Sequence, residues 1–267
     1  MLASDLGSAY AAQVKAVLLS EAPGARVVDL THELRPHAIG EAAFVLLPAV
    51  SRTPRRAIHV VVVDPGVGGT RRSVVVGCRD GSTFVGPDNG VLVPLVRTRG
   101  GGRAFRIDPA RLRARPRVGS TFDGRDVFAP AAARLATGTV PRELGPEIEL
   151  SPLPGTRPRR SSTGAAGTVA HVDRFGNVVT DVPSAWVPSG PGELRVRLGH
   201  RTWRLPRRDS YEAAGRGRLL ALGSSFGTVE LAVAEGRAVD RLRTRVGERV
   251  GFSWEEGRPR STRRNRK

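Results

Sequence analysis

The sequence predicts a two-domain protein: an α/β N-terminal domain with a layered, mostly parallel sheet, followed by a C-terminal all-β barrel domain. Three observations carry this prediction: strands and helices alternate in the first half, a stretch without periodicity interrupts the chain, and only short strand patterns follow it. With 267 residues, 39% of them hydrophobic, the chain can bury two cores. We place the α/β domain at 1–150, a linker at 151–167, the barrel at 168–256 and a basic disordered tail at 257–267.

Hydrophobic patterns define the elements of the first domain. Helices are predicted over 11–21 and 38–50, and strands over 25–30, 57–64, 73–78 and 82–85. The 57–64 segment, AIHVVVVD, is a nearly continuous β-branched run, which is typical of a strand covered on both faces in a parallel sheet. The alternation of the two element types therefore indicates layered α/β architecture.

The second half has a different pattern. The 151–167 segment, SPLPGTRPRRSSTGAAG, combines Pro, Gly, Ser and Arg without periodicity, as linkers do. Short strand patterns follow at 168–172, 194–198, 219–222 and 249–254, separated by turns rich in Gly and Pro. Such spacing predicts a small antiparallel barrel.

The net charge of +18 raises the question of nucleic-acid binding. Lys15 and Lys267 are the only lysines among 43 basic residues, a bias that is better explained by GC-rich codons than by selected phosphate contacts. Basic residues also concentrate in the segments predicted to be linker and tail, and aromatic side chains that could stack on bases are scarce. We therefore do not predict a nucleic acid as the partner.

Several other classes of protein are excluded by the sequence. Every apolar run is interrupted too early to cross a bilayer, and the N-terminus lacks the pattern of a secretory signal, so we expect a cytoplasmic protein. Cys78 is the single cysteine, which excludes an internal disulfide and any multi-cysteine metal site. The five histidines show no metal-site spacing with acidic partners, so chemistry without a metal or cofactor is favoured.

Asp64 ends the 57–64 strand and opens a glycine-rich turn, DPGVGGTR. Ligands of open parallel sheets bind beyond the carboxyl ends of the strands, so a carboxylate there is well placed for function. Glycines allow close approach to a ligand, and Arg71 at the end of the turn can keep the carboxylate ionised. A structural turn with a surface arginine accounts for the same residues equally well. The glycine spacing matches neither a dinucleotide fingerprint nor a Walker loop.

Two further polar clusters follow predicted strands. Asp88 and Asn89, in GPDNG, precede a helical run and are best explained as caps of that helix. The segment DRFGN, from Asp173 to Asn177, places a carboxylate, an aromatic ring and a carboxamide beside a glycine. A carboxamide can bind a purine edge, but a hairpin turn uses the same residues, and both interpretations stay open.

Seven motifs follow one another along the chain: SDLG at 4–7, VVDLTHEL at 27–34, DPGVGGTRR at 64–72, GPDNG at 86–90, STFDGRDVFAP at 120–130, DRFGN at 173–177 and SSFG at 224–227. In this order they resemble the S-adenosylmethionine hydroxide adenosyltransferase family, which is related to fluorinase and chlorinase enzymes. The resemblance covers almost the whole chain. It implies an α/β domain followed by a barrel, a homotrimer with active sites between neighbouring subunits, and cleavage of S-adenosylmethionine (SAM) by water to adenosine and methionine.

The resemblance also implies roles for single residues. Asp64 and Arg71 match the group that holds the attacking water, and Asp123 occupies the place of the family's histidine in that group. The implied substrate contacts are Asp5 at the ribose hydroxyls, Asp173 and Ser225 at the methionine end, Asn177 at the adenine edge, Tyr211 beside adenine with Phe122 nearby, and Phe175 and Phe226 within the same motifs.

The sequence departs from the family pattern in three places. Asp123 replaces the histidine, so two carboxylates would face one water, and their mutual repulsion makes one of them a candidate base. The loop after Asp5 is short and lacks an aspartate that helps to hold the methionine amine, and Ala234 replaces an asparagine near adenine. These departures leave a nucleoside- or SAM-binding family member with impaired catalysis as an alternative. A halogenase is disfavoured, because the carboxylate of Asp64 would repel a bare halide.

Overall fold

The computed structural model describes residues 1–112, 119–155 and 157–255. It divides the chain into two compact units, Met1–Gly155 and Thr156–Lys267. The tail predicted at 257–267 lies outside the described residues. Within the described ranges, no helix combines the length and the apolar character needed to cross a membrane.

The first unit is a seven-stranded sheet with helices packed on it. Its strands are β1 (Leu2–Ser4), β2 (Asp29–Thr31), β3 (Ile58–Val62), β4 (Ser73–Cys78), β5 (Thr83–Pro87), β6 (Gly102–Arg106) and β7 (Glu147–Ile148), and its helices are α1 (Ser8–Glu21), α2 (Ile39–Arg52), α3 (Leu92–Thr98) and α4 (Ala129–Ala136). The strand order is β2-β1-β3-β5-β4-β6-β7. This confirms the α/β class of the domain.

The sheet is mixed, whereas the sequence predicted a mostly parallel one. Among the described strands, β2, β1, β3 and β5 run parallel, but β4, β6 and β7 join by antiparallel pairing. The four-residue connection between β4 and β5 is a tight turn, and such a turn can join only antiparallel neighbours. The strand predicted at 25–30 is found at 29–31, where it pairs with the three-residue strand β1.

Alternating side chains of the sheet build two cores. On β3, Val60 and Val62 join one cluster with residues of α1 and α4, while Val61 joins a second cluster with residues of α2 and α3. This accounts for the unbroken β-branched run: a strand covered on both faces needs apolar residues at every position.

Strands β1 and β3 are parallel neighbours whose carboxyl ends lie at the same edge of the sheet. Asp5 follows β1, and its backbone N–H donates to the carbonyl of Val62 at 3.2 Å. Asp64 follows β3 two residues after Val62. Two carboxylates separated by 59 positions in the sequence are thus brought to one edge of the sheet, where ligands bind in open α/β folds.

The second unit is a β-barrel. Its strands are β8 (Arg159–Arg160), β9 (Gly164–Val172), β10 (Val178–Pro183), β11 (Gly192–Leu198), β12 (Arg201–Arg207), β13 (Leu219–Gly223), β14 (Thr228–Val233) and β15 (Arg249–Ser253), with helix α5 (Ala238–Leu242) before the last strand. Strand β8 and the first residues of β9 fall inside the segment predicted as a linker.

Seven of these strands close into a ring. The order is β10-β14-β13-β12-β11-β15-β9, and β9 pairs again with β10, while β8 adds to the outer edge of β9. Side chains alternate between the interior and solvent, as on β11, where Leu194, Val196 and Leu198 are buried and Arg195 and Arg197 are exposed. The predicted C-terminal barrel is confirmed.

Candidate active site

Arg71 bridges Asp64 and Asp123. Its Nε donates to Oδ1 of Asp64 at 2.9 Å, its Nη2 donates to Oδ2 of Asp64, and the same Nη2 lies 2.5 Å from Oδ2 of Asp123. All three side chains are largely buried, with 12%, 6% and 9% of their surface exposed. The structure thus brings together the three residues predicted to be catalytic, although 52 positions separate Arg71 from Asp123.

The turn after β3 brings Arg71 back to the carboxylate of Asp64. A Cβ at Gly66 would lie 3.1 Å from Cγ of Arg71, so the glycine leaves room for the arginine side chain. Gly68 has a φ of +76°, and a Cβ there would lie 2.9 Å from the carbonyl oxygen of Ser120. Glycine is therefore required where this turn meets the segment that leads to Asp123.

Asp123 is placed by a tight helical turn. A π-helical turn over Gly124–Phe128 follows it directly, and irregular turns of this kind are frequent at functional sites. A Cβ at Gly124 would lie 3.2 Å from a methyl group of Val62, which shows how closely this turn packs against β3. Close packing against β3 brings the carboxylate of Asp123 beside the end of that strand.

Arg71 is held as a cation by its surroundings. Burial opposes its charged form, but the hydrogen bonds and charges of Asp64 and Asp123 outweigh burial and raise the pKa of Arg71. Its Nη1 donates to Oγ of Ser73 at 2.9 Å, and its guanidinium lies 5.4 Å from the ring centre of Phe128. Ser73 and Phe128 were not predicted, because nothing in their local sequence shows that they contact Arg71.

Asp5 lies beside this cluster. Burial is the main effect that raises the pKa of Asp5, and the charge of Asp64 adds to it. The backbone N–H of His37 donates to Oδ2 of Asp5 at 3.3 Å. Phe122 is 9% exposed and packs edge-to-face against Tyr10, with ring centres 5.1 Å apart. Tyr10 itself is 55% exposed, so an aromatic surface adjoins this edge of the sheet.

The GPDNG segment is mainly structural. Asn89 accepts a hydrogen bond from the N–H of Val91 at 3.2 Å, but Val91 is itself the N-cap residue of α3 and no side chain caps this helix, so the capping prediction was wrong. Asp88 does not cap the helix. It accepts from Nε of Arg72 at 2.8 Å and from the N–H of Ser151 at 2.8 Å instead. Neighbouring arginines, Arg71 and Arg72, therefore serve different carboxylates.

The barrel unit carries an open groove of about 1040 Å³. Its lining contains every substrate contact predicted in this half of the chain: Asp173, Phe175, Asn177, Tyr211, Ser225 and Phe226. Four carboxylates line it, those of Asp173, Asp209, Glu230 and Glu235, against two guanidinium groups, those of Arg174 and Arg237. We call this surface the acidic groove.

Asp173 organises the turn between β9 and β10. Its carboxylate accepts from the N–H groups of Phe175 and Asn177, each at 2.9 Å, and from Nδ2 of Asn177 at 3.0 Å. Asn177 is only 8% exposed, whereas Phe175 is 63% exposed. The hairpin interpretation of DRFGN is thus correct, and the same turn lines the groove.

Glu230 is a groove residue that the sequence did not reveal. It is 5% exposed and accepts a hydrogen bond from Oη of Tyr211 at 2.6 Å. Burial, and after it the charge of Asp173, raises the pKa of Glu230, while the bond from Tyr211 opposes this shift. Burial also raises the pKa of Tyr211, with Glu230 adding to the effect. In TVELAV, Glu230 is the one charge in an apolar strand, and this is the signal that could have marked it.

Among the described residues, no group of three or more His, Cys, Asp or Glu side chains is arranged to hold a metal ion. The expectation of chemistry without a metal or cofactor stays a prediction. The site residues have been brought into two clusters, one at the sheet edge and one along the acidic groove, and their roles toward a ligand stay predictions as well.

Comparison with known sequences gives consistent matches. The family model for the SAM hydroxide adenosyltransferase N-terminal domain matches residues 1–145, and that for the C-terminal domain matches residues 167–251. The chain is 40% identical over 252 residues to an (R)-S-adenosyl-L-methionine hydrolase of Thermus thermophilus, covering 91% of this chain and 95% of that protein. A fluorinase of an Actinoplanes species is 27% identical, with coverage of 67% and 70%.

Two solved structures resemble this chain along nearly its whole length. An uncharacterized conserved protein from Thermotoga maritima superposes with a TM-score of 0.87 at 31% identity, covering 95% of this chain and 99% of that chain. A conserved hypothetical protein from Thermus thermophilus gives a TM-score of 0.75 at 39% identity, with coverage of 94% and 97%. With both family domains matched in order along a chain that carries the Asp64, Arg71 and Asp123 cluster, the protein belongs to the SAM hydroxide adenosyltransferase family.

Proposed function

We propose that this protein hydrolyses SAM to adenosine and methionine. The observation that carries the proposal is the bridge of Arg71 between Asp64 and Asp123 at the sheet edge, in a chain similar along nine-tenths of its length to (R)-S-adenosyl-L-methionine hydrolases. Asp64 also distinguishes hydrolysis from halogenation, because its carboxylate can orient a water molecule but would repel a bare halide.

The reaction requires little of the protein beyond positioning. The oxygen of water attacks the ribose C5′ atom, the C5′–S bond breaks, and its electron pair stays on sulfur. The sulfonium thereby becomes the neutral thioether of methionine, so the leaving group needs no general acid and no metal. One proton of the attacking water must be accepted by a base. Correct placement of the water in line with the C–S bond supplies much of the catalysis.

Asp64, Arg71 and Asp123 are suited to that task. Arg71 fixes both carboxylates, and the cluster then carries one more negative than positive charge. The excess negative charge attracts the sulfonium of the substrate, and a carboxylate can accept the proton that the attacking water loses. We propose that the two carboxylates act as one coupled base that accepts the proton of the attacking water.

The acidic groove is proposed to receive the rest of the substrate. The methionine end of SAM carries an ammonium group as well as the sulfonium, and a groove with more carboxylates than guanidinium groups favours such a cation. Asp173 and Ser225 are assigned to the methionine end, Asn177 to the adenine edge, Tyr211 to a position beside the adenine, and Phe175 and Phe226 to apolar contacts. Asp5 and Phe122, at the sheet edge, are assigned to the ribose and the adenine.

The relatives' name specifies the (R) form of the substrate, and we propose the same preference here. We also propose a cytoplasmic homotrimer whose sites are shared between neighbouring subunits. Light scattering after gel filtration should then give three times the mass of one chain, and the separated epimers should differ in their rates of adenosine release.

The decisive experiment uses SAM in water enriched in ¹⁸O. Attack at C5′ places the label in the 5′-hydroxyl of the adenosine product, whereas attack on the methionine chain would label homoserine and release methylthioadenosine. Labelled adenosine supports the proposal. Labelled homoserine, or chlorinated nucleoside when chloride is supplied, contradicts it.

Replacing Asp123 by histidine tests the departure from the family. If the natural protein releases adenosine and Asp123→His also does, the carboxylate is a working substitute for the imidazole. If only Asp123→His releases adenosine, the natural protein is an impaired family member, and the proposed hydrolysis is wrong for this chain. Bound nucleoside in both proteins would show that each is folded.

A further inference from the structure

Four arginines surround a second concave surface of the barrel. Arg159 and Arg160 on β8 and Arg195 and Arg197 on β11 line a cavity of about 490 Å³. We call this cavity the arginine trough. It lies on other strands than the acidic groove, and the two surfaces share no lining residue. The family motifs identified in the sequence supply none of its residues.

Strand register places Arg159 and Arg197 on opposite sides of the trough. Arg159 lies opposite Ala166, Ala166 lies opposite Gly251, and Gly251 lies opposite Arg197, so one row crosses β8, β9, β15 and β11. Residues directly opposite each other in antiparallel strands point to the same face of the sheet. Three strand spacings of about 4.8 Å then separate the Cα atoms of Arg159 and Arg197 by roughly 14 Å.

The floor between these two sides is made of small residues. Ala166 and Gly251 lie between Arg159 and Arg197, and Ser253 and Gly164 continue the floor beyond Arg195. A Cβ at Gly251 would lie 3.8 Å from Nε of Arg197, so the arginine side chain extends over the glycine. Small residues therefore leave the floor of the trough open between Arg159 on one side and Arg195 and Arg197 on the other.

All the charged residues that line the trough are basic. Among the described residues that line it, none is Asp or Glu, and no described ion pair involves the four arginines. Some exposed arginines elsewhere on the same barrel do have such partners, as Arg204 has in Glu193 and Arg237 has in Asp240. An anion bound between these guanidinium groups would compensate their charges.

We propose that the arginine trough binds a small anion that carries several phosphate groups, such as an oligophosphate. One guanidinium group can donate two parallel hydrogen bonds to two oxygens of a phosphate group. Several arginines together match a ligand that carries more than one negative charge. The cavity has the size of a small-ligand site. Phe252, the one aromatic residue in the lining, is only 3% exposed, so no ring is available to stack on a nucleic-acid base.

The test uses tripolyphosphate as the probe and isothermal titration calorimetry with the full chain. The variant Arg195→Ala/Arg197→Ala should weaken binding about tenfold or more, because it removes charge-assisted hydrogen bonds from one side of the trough. The matched control is Arg55→Ala/Arg245→Ala, which removes the same charge from two exposed arginines outside the trough, and should change affinity less than about twofold.

A second variant keeps every arginine. Ala166→Glu places a carboxylate on the exposed floor between Arg159 and Arg197, and it should abolish tripolyphosphate binding without lowering the thermal unfolding midpoint. Failure of the wild type to bind, equal losses in trough and control variants, or unchanged binding by Ala166→Glu would overturn the proposal. So would an oligonucleotide that binds more tightly than tripolyphosphate and loses affinity in the trough variant.

Discussion

The arginine of the sheet edge and the arginines of the barrel trough show what a guanidinium group does with and without an acidic partner. Arg71 is largely buried between two carboxylates and holds them in place, whereas Arg195 and Arg197 are exposed beside small residues and take part in no described ion pair. The chain has 43 basic residues, so composition alone cannot distinguish these roles. Position in the fold does, because a buried charge must be paired and a solvated one need not be.

The largest expected effect is that of Arg71→Ala. Without the arginine, Asp64 and Asp123 are left buried together without a cation, and the free energy of unfolding should fall by about 3–5 kcal/mol. Adenosine release from SAM should be lost. Chemical denaturation and a product assay measure the two effects. Arg72→Ala is the matched control, since it also removes a carboxylate's partner, Asp88, but should retain release. Equal loss of activity in both variants would show that Arg71 has only a structural role.

Asp123→Asn is expected to have the next largest effect. It leaves Arg71 paired with Asp64 but removes half of the proposed base, so the rate of adenosine release should fall about 10²-fold or more. Stability should fall by only about 1–3 kcal/mol. Asp126→Asn is the control, because Asp126 lies in the same turn but pairs with Arg125. A pH profile that keeps its shape in Asp123→Asn would speak against a coupled base.

Glu230→Gln separates stability from binding in the acidic groove. The pKa of Glu230 is raised by burial above its ordinary value of 4.5, so the folded state binds its proton more tightly than the unfolded state. Its contribution to stability is therefore present below about pH 4.5 and is lost as the pH rises through the raised pKa. The introduced carboxamide does not ionise, so the variant does not lose stability in this way. The free energy of unfolding of the variant minus that of the wild type should therefore increase with pH.

The same substitution should weaken substrate binding. The introduced carboxamide would still accept the hydrogen bond from Tyr211 but would no longer offer a negative charge to the cationic substrate. We expect a higher KM for SAM with little change in kcat, measured at constant ionic strength. An unchanged KM would mean that Glu230 serves the barrel alone.

The smallest effect is expected for Arg195→Ala alone. An exposed side chain without a described partner contributes little to folding, so the free energy of unfolding should stay within about 0.5 kcal/mol of the wild type. Thermal unfolding at low and at higher salt checks this. A marked stabilisation at low salt would show that repulsion within the trough is stronger than we infer.

The sequence predicted what local patterns can encode. The β-branched run of β3, the glycine turn after it and the ordered motifs led to both domains and to Arg71 as the partner of Asp64. It did not predict β6 and β7 as strands, and it missed the antiparallel pairing of β4 with β5 that their four-residue connection requires. The hydrogen bond between Glu230 and Tyr211 joins residues nineteen positions apart, so the local sequence does not show it. The arginine trough likewise depends on the register of four strands.

The ring of seven strands is not equally strong all the way round. Among the described residues, β12 and β13 are joined by one register pair, Arg207 with Ala221, and they run parallel there. Tyr211 lies in the connection between β12 and β13 and lines the acidic groove, so the groove borders the strand pair that we expect to separate most easily. Amide hydrogens of this strand pair should exchange with solvent before those of β11 and β15, and a ligand held by Tyr211 should slow that exchange.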